Sequence, residues 1–135
     1  MDAFDADVLI YAAAPEHPLG RRVLPLLAGP GARVGSVLLL PELLAKPLRE
    51  AGEQSSEVLR LVGLLALLEL RPVDLPTAQL AAEFARAYRL RAADAAHLAT
   101  AVLAGAERFV TNNGRDFSSR IQEIDIVHPG DLAEG

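Results

Sequence analysis

The sequence predicts an α/β domain with five strands, and three observations carry that reading. Short apolar runs alternate with longer stretches of helical periodicity along the whole chain. Of the 135 residues, 51% are hydrophobic and 23% charged, which is enough apolar side chain to bury a core without disulfide or metal staples. No repeat, linker or low-complexity segment interrupts the pattern, so residues 1–129 read as one domain and residues 130–135 as a polar tail.

Taken in order, residues 3–5 form a first strand. Asp7 is placed to cap a helix through Val8, Leu9, Ile10 and Tyr11 that Pro15 stops. A second helix over 21–27 closes at the Gly29, Pro30, Gly31 turn. Residues 33–36 make a second strand. A helix follows over 38–51, with Pro41 tolerated near its start and Pro47 costing a kink. Residues 55–69 form a strongly apolar helix and 70–74 a third strand. Two Ala-rich helices run over 77–88 and 92–104, and strands over 108–111 and 123–127 complete the series.

Composition removes several function classes. The chain has no Cys, which excludes disulfide scaffolds, thiolate metal sites and cysteine nucleophiles, and leaves oxygen or imidazole as the only metal donors. A net charge of −5 argues against holding nucleic acid by bulk charge. Asp2, Asp5 and Asp7 stand where a secretory signal carries positive charge, so the expected location is the cytoplasm. The longest apolar stretch, 61–68, is far short of the roughly 20 residues a bilayer span requires and reads as a buried helix. Lys46 is the single Lys, and the bias toward Arg carries little functional information.

The acidic residues form a pattern on this map. Asp5 ends the first strand, Glu42 follows the second, Asp94 opens the second Ala-rich helix, and Asp116 lies five positions after the fourth strand. In an open parallel sheet, sites gather beyond the carboxyl ends of the strands. Carboxylates are the hard ligands that Mg²⁺ and Mn²⁺ prefer, so convergence of these four would suit metal-assisted phosphodiester cleavage. The other reading is that each caps a helix or faces solvent.

Four motifs then resemble the PIN-domain family, and the VapC-type toxin ribonucleases in particular. FDADVLIY is similar to its D-x-[NST]-V-L-I segment and SVLLLPELL to its second-strand Ser followed by a helix with a Glu. RAADAAHLATA resembles its D-A-x-x-A-A-x-A helix, and FVTNNGRDF its strand ending in Thr, then Asn, then Asp-Phe. The likeness runs in family order over nearly the whole chain. It implies a three-layer α/β/α sandwich with a central, mostly parallel sheet of about five strands. It also implies that Asp5, Glu42, Asp94 and Asp116 form the acidic metal centre of a ribonuclease, with Asn113 as a hydrogen-bonding member. Asp7 stands where the family more often has Asn, Ser or Thr, and is either a fifth ligand or the helix cap. Asn113 stands where many relatives carry Asp, which leaves Asp116 as the fourth acid and weakens a second metal position.

The expected chemistry needs no covalent intermediate: Mg²⁺ or Mn²⁺ activates water and polarises the phosphoryl oxygen. Asp5 and Asp94 are the expected direct ligands, with Glu42 and Asp116 completing the shell. Thr111 and Ser36 either orient them or serve as turn formers. Arg86, Arg89 and Arg91, with Tyr88 among them, lie just before Asp94 and are either RNA contacts or cations complementing a helix C-terminus. Lys46 sits four residues from Glu42, suited equally to an ion pair and to a substrate contact, and Arg115 beside Asp116 has the same two readings. His97, three residues from Asp94, reads as a packing residue, and His17 and His128 carry no signal.

The helix over 55–69 is apolar nearly all round and must be buried on more than one face. The family likeness implies a homodimer and, for a toxin, an antitoxin partner. Two other classes compete. A phosphoacceptor receiver domain needs a Lys after a late strand, and Lys46 follows the second. A PIN-like dimeric binding module with weakened catalysis fits the net charge and the TNN turn, but not the four acids.

Overall fold

Neighbouring residues of each central strand pack into different cores, and this alternation sets the architecture. In β1 (Asp2–Phe4), Ala3 joins one apolar cluster and Phe4 another; in β4 (Arg108–Val110), Phe109 joins the first and Val110 the second. Successive side chains of a strand point to opposite faces, so a sheet apolar at both positions must be covered on both sides. The first face is covered by α5 (Leu75–Tyr88) and α6 (Ala92–Leu103), through Phe84, Ala95, Leu98 and Ala99. The second is covered by α1 (Ala6–Ala13), α2 (Pro18–Ala28), α3 (Leu39–Ala51) and α4 (Ser56–Leu65), through Val8, Leu9, Val23, Leu39 and Leu61. The computed structural model describes residues 1–133; Glu134 and Gly135, the end of the expected polar tail, lie outside the described residues.

With β2 (Arg33–Ser36), β3 (Glu69–Arg71) and β5 (Asp125–Val127), the sheet has five strands in the order β3-β2-β1-β4-β5, and every pairing is parallel. The chain therefore builds outward from β1 to β3 on one side, then returns to lay β4 on the other. The β1–β4 boundary is the switch point, where an open sheet of this kind forms its crevice at the carboxyl ends. Arg108 pins the register of these two strands by donating from Nε and Nη2 to the two carboxylate oxygens of Asp2, both at 2.8 Å.

Several boundaries differ from the sequence expectation, each for a local reason. β1 ends at Phe4, and Asp5, not Asp7, is the N-cap of α1: the Asp5 Oδ1 accepts from the Ala6 N–H at 2.8 Å. α2 starts three residues before the expected 21, because the His17 Nδ1 accepts from the Leu19 N–H at 3.1 Å and Pro18 suits the first helical position. The apolar helix begins one residue after the expected 55, with Ser55 as its cap, but stops at Leu65 so that Glu69–Arg71 can pair with β2. β3 does not extend to 74. Pro72 has no N–H for the ladder, and Asp74 turns away to cap α5 by accepting from the Thr77 N–H at 3.0 Å. At the C-terminal end, a 3₁₀ turn at Pro129–Asp131 follows β5. There Arg22 donates to the Gly130 and Leu132 carbonyls, and Leu132 packs against the second core. No helix among the described residues is long and apolar enough to cross a membrane.

The position of α1 depends on one close approach. At Gly20 an added Cβ would lie 2.1 Å from the Tyr11 carbonyl oxygen and 3.2 Å from the Ala12 Cα, both backbone atoms. Neither atom can yield without moving α1 against α2. Gly20→Ala is expected to destabilise the protein by about 1–3 kcal/mol, read as a lower urea midpoint at unchanged slope; a wild-type midpoint would show that the two helices separate freely.

Candidate active site

The sequence ends two adjacent central strands with acceptors and hydroxyls: Asp5 follows β1 and Thr111 follows β4. The Asp5 N–H donates to the Val110 carbonyl at 3.0 Å, which sets the two residues side by side. The Thr111 Oγ1 then donates to the Asp5 Oδ2 at 2.8 Å and accepts from the Asn113 N–H at 3.1 Å. Asp5 is 5% exposed and Thr111 fully buried. Both Asp5 oxygens are thus held, one by a helix N-terminus and one by a hydroxyl. Burial nonetheless raises its pKa, against the lowering effects of Thr111, His97 and Ala6.

Asp94 stands in the first turn of α6 and is half-buried. Burial raises its pKa, and the charges of Asp5, Asp116 and Glu42 raise it further against the opposing field of His97. It is therefore the residue at which the fields of all three other predicted acids meet. Glu42 reaches inward from the first turn of α3, where the His97 Nε2 lies 3.1 Å from its Oε1. Asp116 lies at the edge: its Oδ2 accepts from the Asn113 Nδ2 at 2.9 Å, and its N–H donates to the Asn113 Oδ1 at 3.2 Å. Asn113 therefore shapes the loop that presents Asp116.

Asp7 is neither the helix cap nor a solvated acid. Its Oδ2 accepts from the Asn112 N–H at 3.0 Å, while its Oδ1 is buried with no partner among the described residues. Burial first, then repulsion from Asp5 and Asp94, raises its pKa to about 6. Asn112 also donates from Nδ2 to the Tyr11 hydroxyl at 3.2 Å, and the Tyr11 ring stacks on His17 at 4.3 Å between centroids. The TNN turn is thus tied to α1 beside the acids.

Of the two hydroxyls expected to orient the acids, Thr111 does so, whereas Ser36 accepts from the Leu38 N–H at 3.1 Å and shapes the turn into α3. Arg86 pairs with Glu83 at 2.8 Å. Among the described residues, Lys46, Arg89, Arg91 and Arg115 enter no ion pair, and Glu42 is held by His97 instead of Lys46.

Sequence reasoning missed three histidines. His97 is not a packing residue alone, since it bonds Glu42; His17 caps α2; and the His128 Nδ1 lies 2.8 Å from the Thr111 carbonyl, consistent with donation to it. For His97 the signal was present, since it falls one helical turn after Asp94 on the same side.

The donor set suits a hard divalent cation: it offers carboxylate oxygens, with the Asp5 pKa raised chiefly by burial and the Asp94 pKa by burial and then by the charge of Asp5. Among the described residues, no three acidic or histidine side chains converge tightly enough to clasp an ion as they stand. The acids share a field, not a preformed cage.

An all-parallel α/β/α sandwich with a buried Asp and further acids about its switch point defines the class: the chain belongs to the PIN-domain family, whose model matches residues 3–121. The sequence resemblance is borne out, and PIN-domain proteins are generally nucleases. Among solved structures, the chain is similar to a toxin–antitoxin complex from Klebsiella pneumoniae, with 25% identity, 96% of this chain and 98% of that chain covered, and a TM-score of 0.75. It is similar in fold to VapBC2 from Rickettsia felis bound to promoter DNA, at 20% identity, 94% and 97% coverage and a TM-score of 0.75. FitAcB from Neisseria gonorrhoeae matches at 21% identity, 98% and 100% coverage and a TM-score of 0.74. No curated protein matches the chain.

Proposed function

We propose that this protein is a Mg²⁺- or Mn²⁺-dependent endoribonuclease whose site is built from Asp5, Asp94, Glu42 and Asp116, and that it is the toxin of a toxin–antitoxin pair. The observation that carries the reading is Asp5: a carboxylate 5% exposed, held at the switch point by Thr111, with Asp94 and Glu42 in its field. A buried acid facing other acids is costly unless something cationic joins it.

The chemistry a bound Mg²⁺ or Mn²⁺ supplies is polarisation of the scissile phosphoryl group and activation of water. The chain's own residues prepare the place. Thr111 and the Ala6 N–H fix both oxygens of Asp5, so its remaining lone pairs keep one direction. Asp94 faces it from α6, and Glu42 closes the group from α3. Asn113 sets the angle at which Asp116 enters. Lys46, Arg89, Arg91 and Arg115, exposed and outside any ion pair among the described residues, are the cations that receive RNA phosphates. Arg86 is committed to Glu83 and contributes less.

Labelled structured RNA tests the reading: it is cut in Mn²⁺ and left intact in EDTA. Equal cleavage in EDTA removes the metal from the mechanism, and no cleavage in Mn²⁺ leaves a binding module.

The toxin assignment is supported by neighbours that are toxin–antitoxin complexes. Apolar exposure gives it a physical counterpart. α4 buries Val58, Leu61 and Leu65 but leaves Leu59 at 55% and Val62 at 46%, and Ile10 across the α1–α4 groove is 49% exposed. These exposed apolar side chains on α1 and α4 support a protein interface on this side of the molecule. A homodimer is expected in sedimentation at micromolar concentration, at twice the 14.4 kDa chain mass, and a monomer there would refute it.

A further inference from the structure

We propose that His97 is a positioning residue: it aims Glu42 at Asp5 and Asp94, and thereby sets how tightly the acid cluster takes up a divalent cation. The inference rests on the metal-nuclease reading and adds to it a residue outside the carboxylate set.

His97 lies on α6 one turn after Asp94, with its side chain 1% exposed, among Ala95, Ala96, Leu98 and Ala99. Packing alone does not call for an imidazole there, because a Leu would fill the space without burying two polar nitrogens. Thr100, the other polar residue buried on this helix, donates to its own turn at the Ala96 carbonyl, 2.8 Å away. His97 instead reaches 55 residues back along the chain to the Glu42 Oε1 at 3.1 Å.

The other ring nitrogen fixes the sense of that bond. The Nδ1 is buried and has no partner among the described residues. A proton there would be an unsatisfied donor, so in the neutral ring the proton is assigned to Nε2, which donates to Glu42. Glu42 needs such a partner. It sits in the first turn of α3 with its side chain 34% exposed, and without His97 its rotamers would be free to carry the carboxylate into solvent. The arrangement holds a ligand by a buried hydrogen bond from behind, the role that outer partners play around metal sites.

Mn²⁺ titration calorimetry on the full chain without RNA tests this, with H97L, H97Q, E42Q and the E42Q/H97L double variant beside the wild type. H97L is expected to weaken Mn²⁺ binding by roughly 10–100-fold. H97Q, whose amide nitrogen reaches about the position of the imidazole Nε2, is expected to bind within a few-fold of wild type. On the E42Q background, H97L is expected to cost nothing further, because its effect runs through Glu42. Should H97L fail to fold, H97N, polar but too short to reach Glu42, replaces it with the same expectations. Wild-type affinity in H97L, equal damage in H97Q and H97L, or a full additional loss on the E42Q background would each overturn the proposal. A wild type that takes up no Mn²⁺ at millimolar concentration brings down the metal-nuclease reading itself, and His97 with it. A wild type that binds while H97L binds equally removes only the role of His97.

Discussion

Asp5→Asn and Asp94→Asn are each expected to reduce RNA cleavage by roughly 10²–10³-fold, the cost of removing one preorganised electrostatic group from a reacting centre. The two substitutions keep shape and remove charge. At Asp5, the Asn carbonyl still accepts from the Ala6 N–H, and the rotatable Thr111 hydroxyl can accept from the new amide in place of donating to it. At Asp94, the side chain is half-buried and makes no protein hydrogen bond among the described residues, so its removal leaves nothing newly unpaired. Both variants should therefore fold, with wild-type circular dichroism, while losing turnover on labelled RNA in Mn²⁺. Near wild-type cleavage by either variant would place the chemistry elsewhere.

Stability without metal is expected to fall as pH rises from 5 to 7, and the acids are the reason. The Asp7 pKa is raised from 3.8 to about 6, chiefly by burial and then by Asp5, and Asp5 and Asp94 are raised as well. A carboxyl that holds its proton more tightly when folded makes the native state the better proton binder between its two pKa values, so stability is lost as pH rises through that window. For Asp7 the window runs from 3.8 to about 6, and its share at pH 7 is roughly 1–2 kcal/mol after allowance for its partial exposure. His97 acts with the same sign. Burial alone would lower its pKa, but the hydrogen bond and charge of Glu42 raise it, and that contribution fades as pH climbs past 6.5.

Two variants separate these contributions. Asp7→Asn keeps the acceptor for the Asn112 N–H and should raise the melting temperature at pH 7 in EDTA while flattening the pH profile. Asp94→Asn should also melt above wild type in EDTA at pH 7, yet gain less from Mn²⁺, since a ligand stabilises by RT ln(1 + [L]/Kd) and its affinity has dropped. Scanning calorimetry with and without millimolar Mn²⁺ reads both. A wild type that gains nothing from Mn²⁺, together with variants that melt lower in EDTA, would show that these acids act only as caps and solvated groups.

The element types and the four candidate acids were legible because both are local. Period-two and 3.6-residue patterns lie within a dozen residues, and Asp5, Glu42, Asp94 and Asp116 each follow a strand or open a helix. Boundaries slipped where two local signals competed. Asp5 and Asp7 are both suited to capping α1, and only the structure, in which the Asp5 N–H bonds Val110 on the neighbouring strand while its Oδ1 accepts from the Ala6 N–H, shows that Asp5 is the cap. The run at 55–69 satisfied a helix throughout, yet its last residue was claimed by the β2 ladder.

The side chain types, the burial each segment demands and the all-oxygen donor set belong to the sequence by itself, since they follow from composition and short-range spacing. The strand order, the meeting of His97 with Glu42 across 55 residues, the tie from Asp7 to Asn112 across 105 and the contact of His128 with the Thr111 carbonyl were decided only by the tertiary structure. Such pairings arise because two apolar faces of one sheet must both be covered. Which remote residues then come to face each other depends on how the helices pack, and no local pattern carries that information.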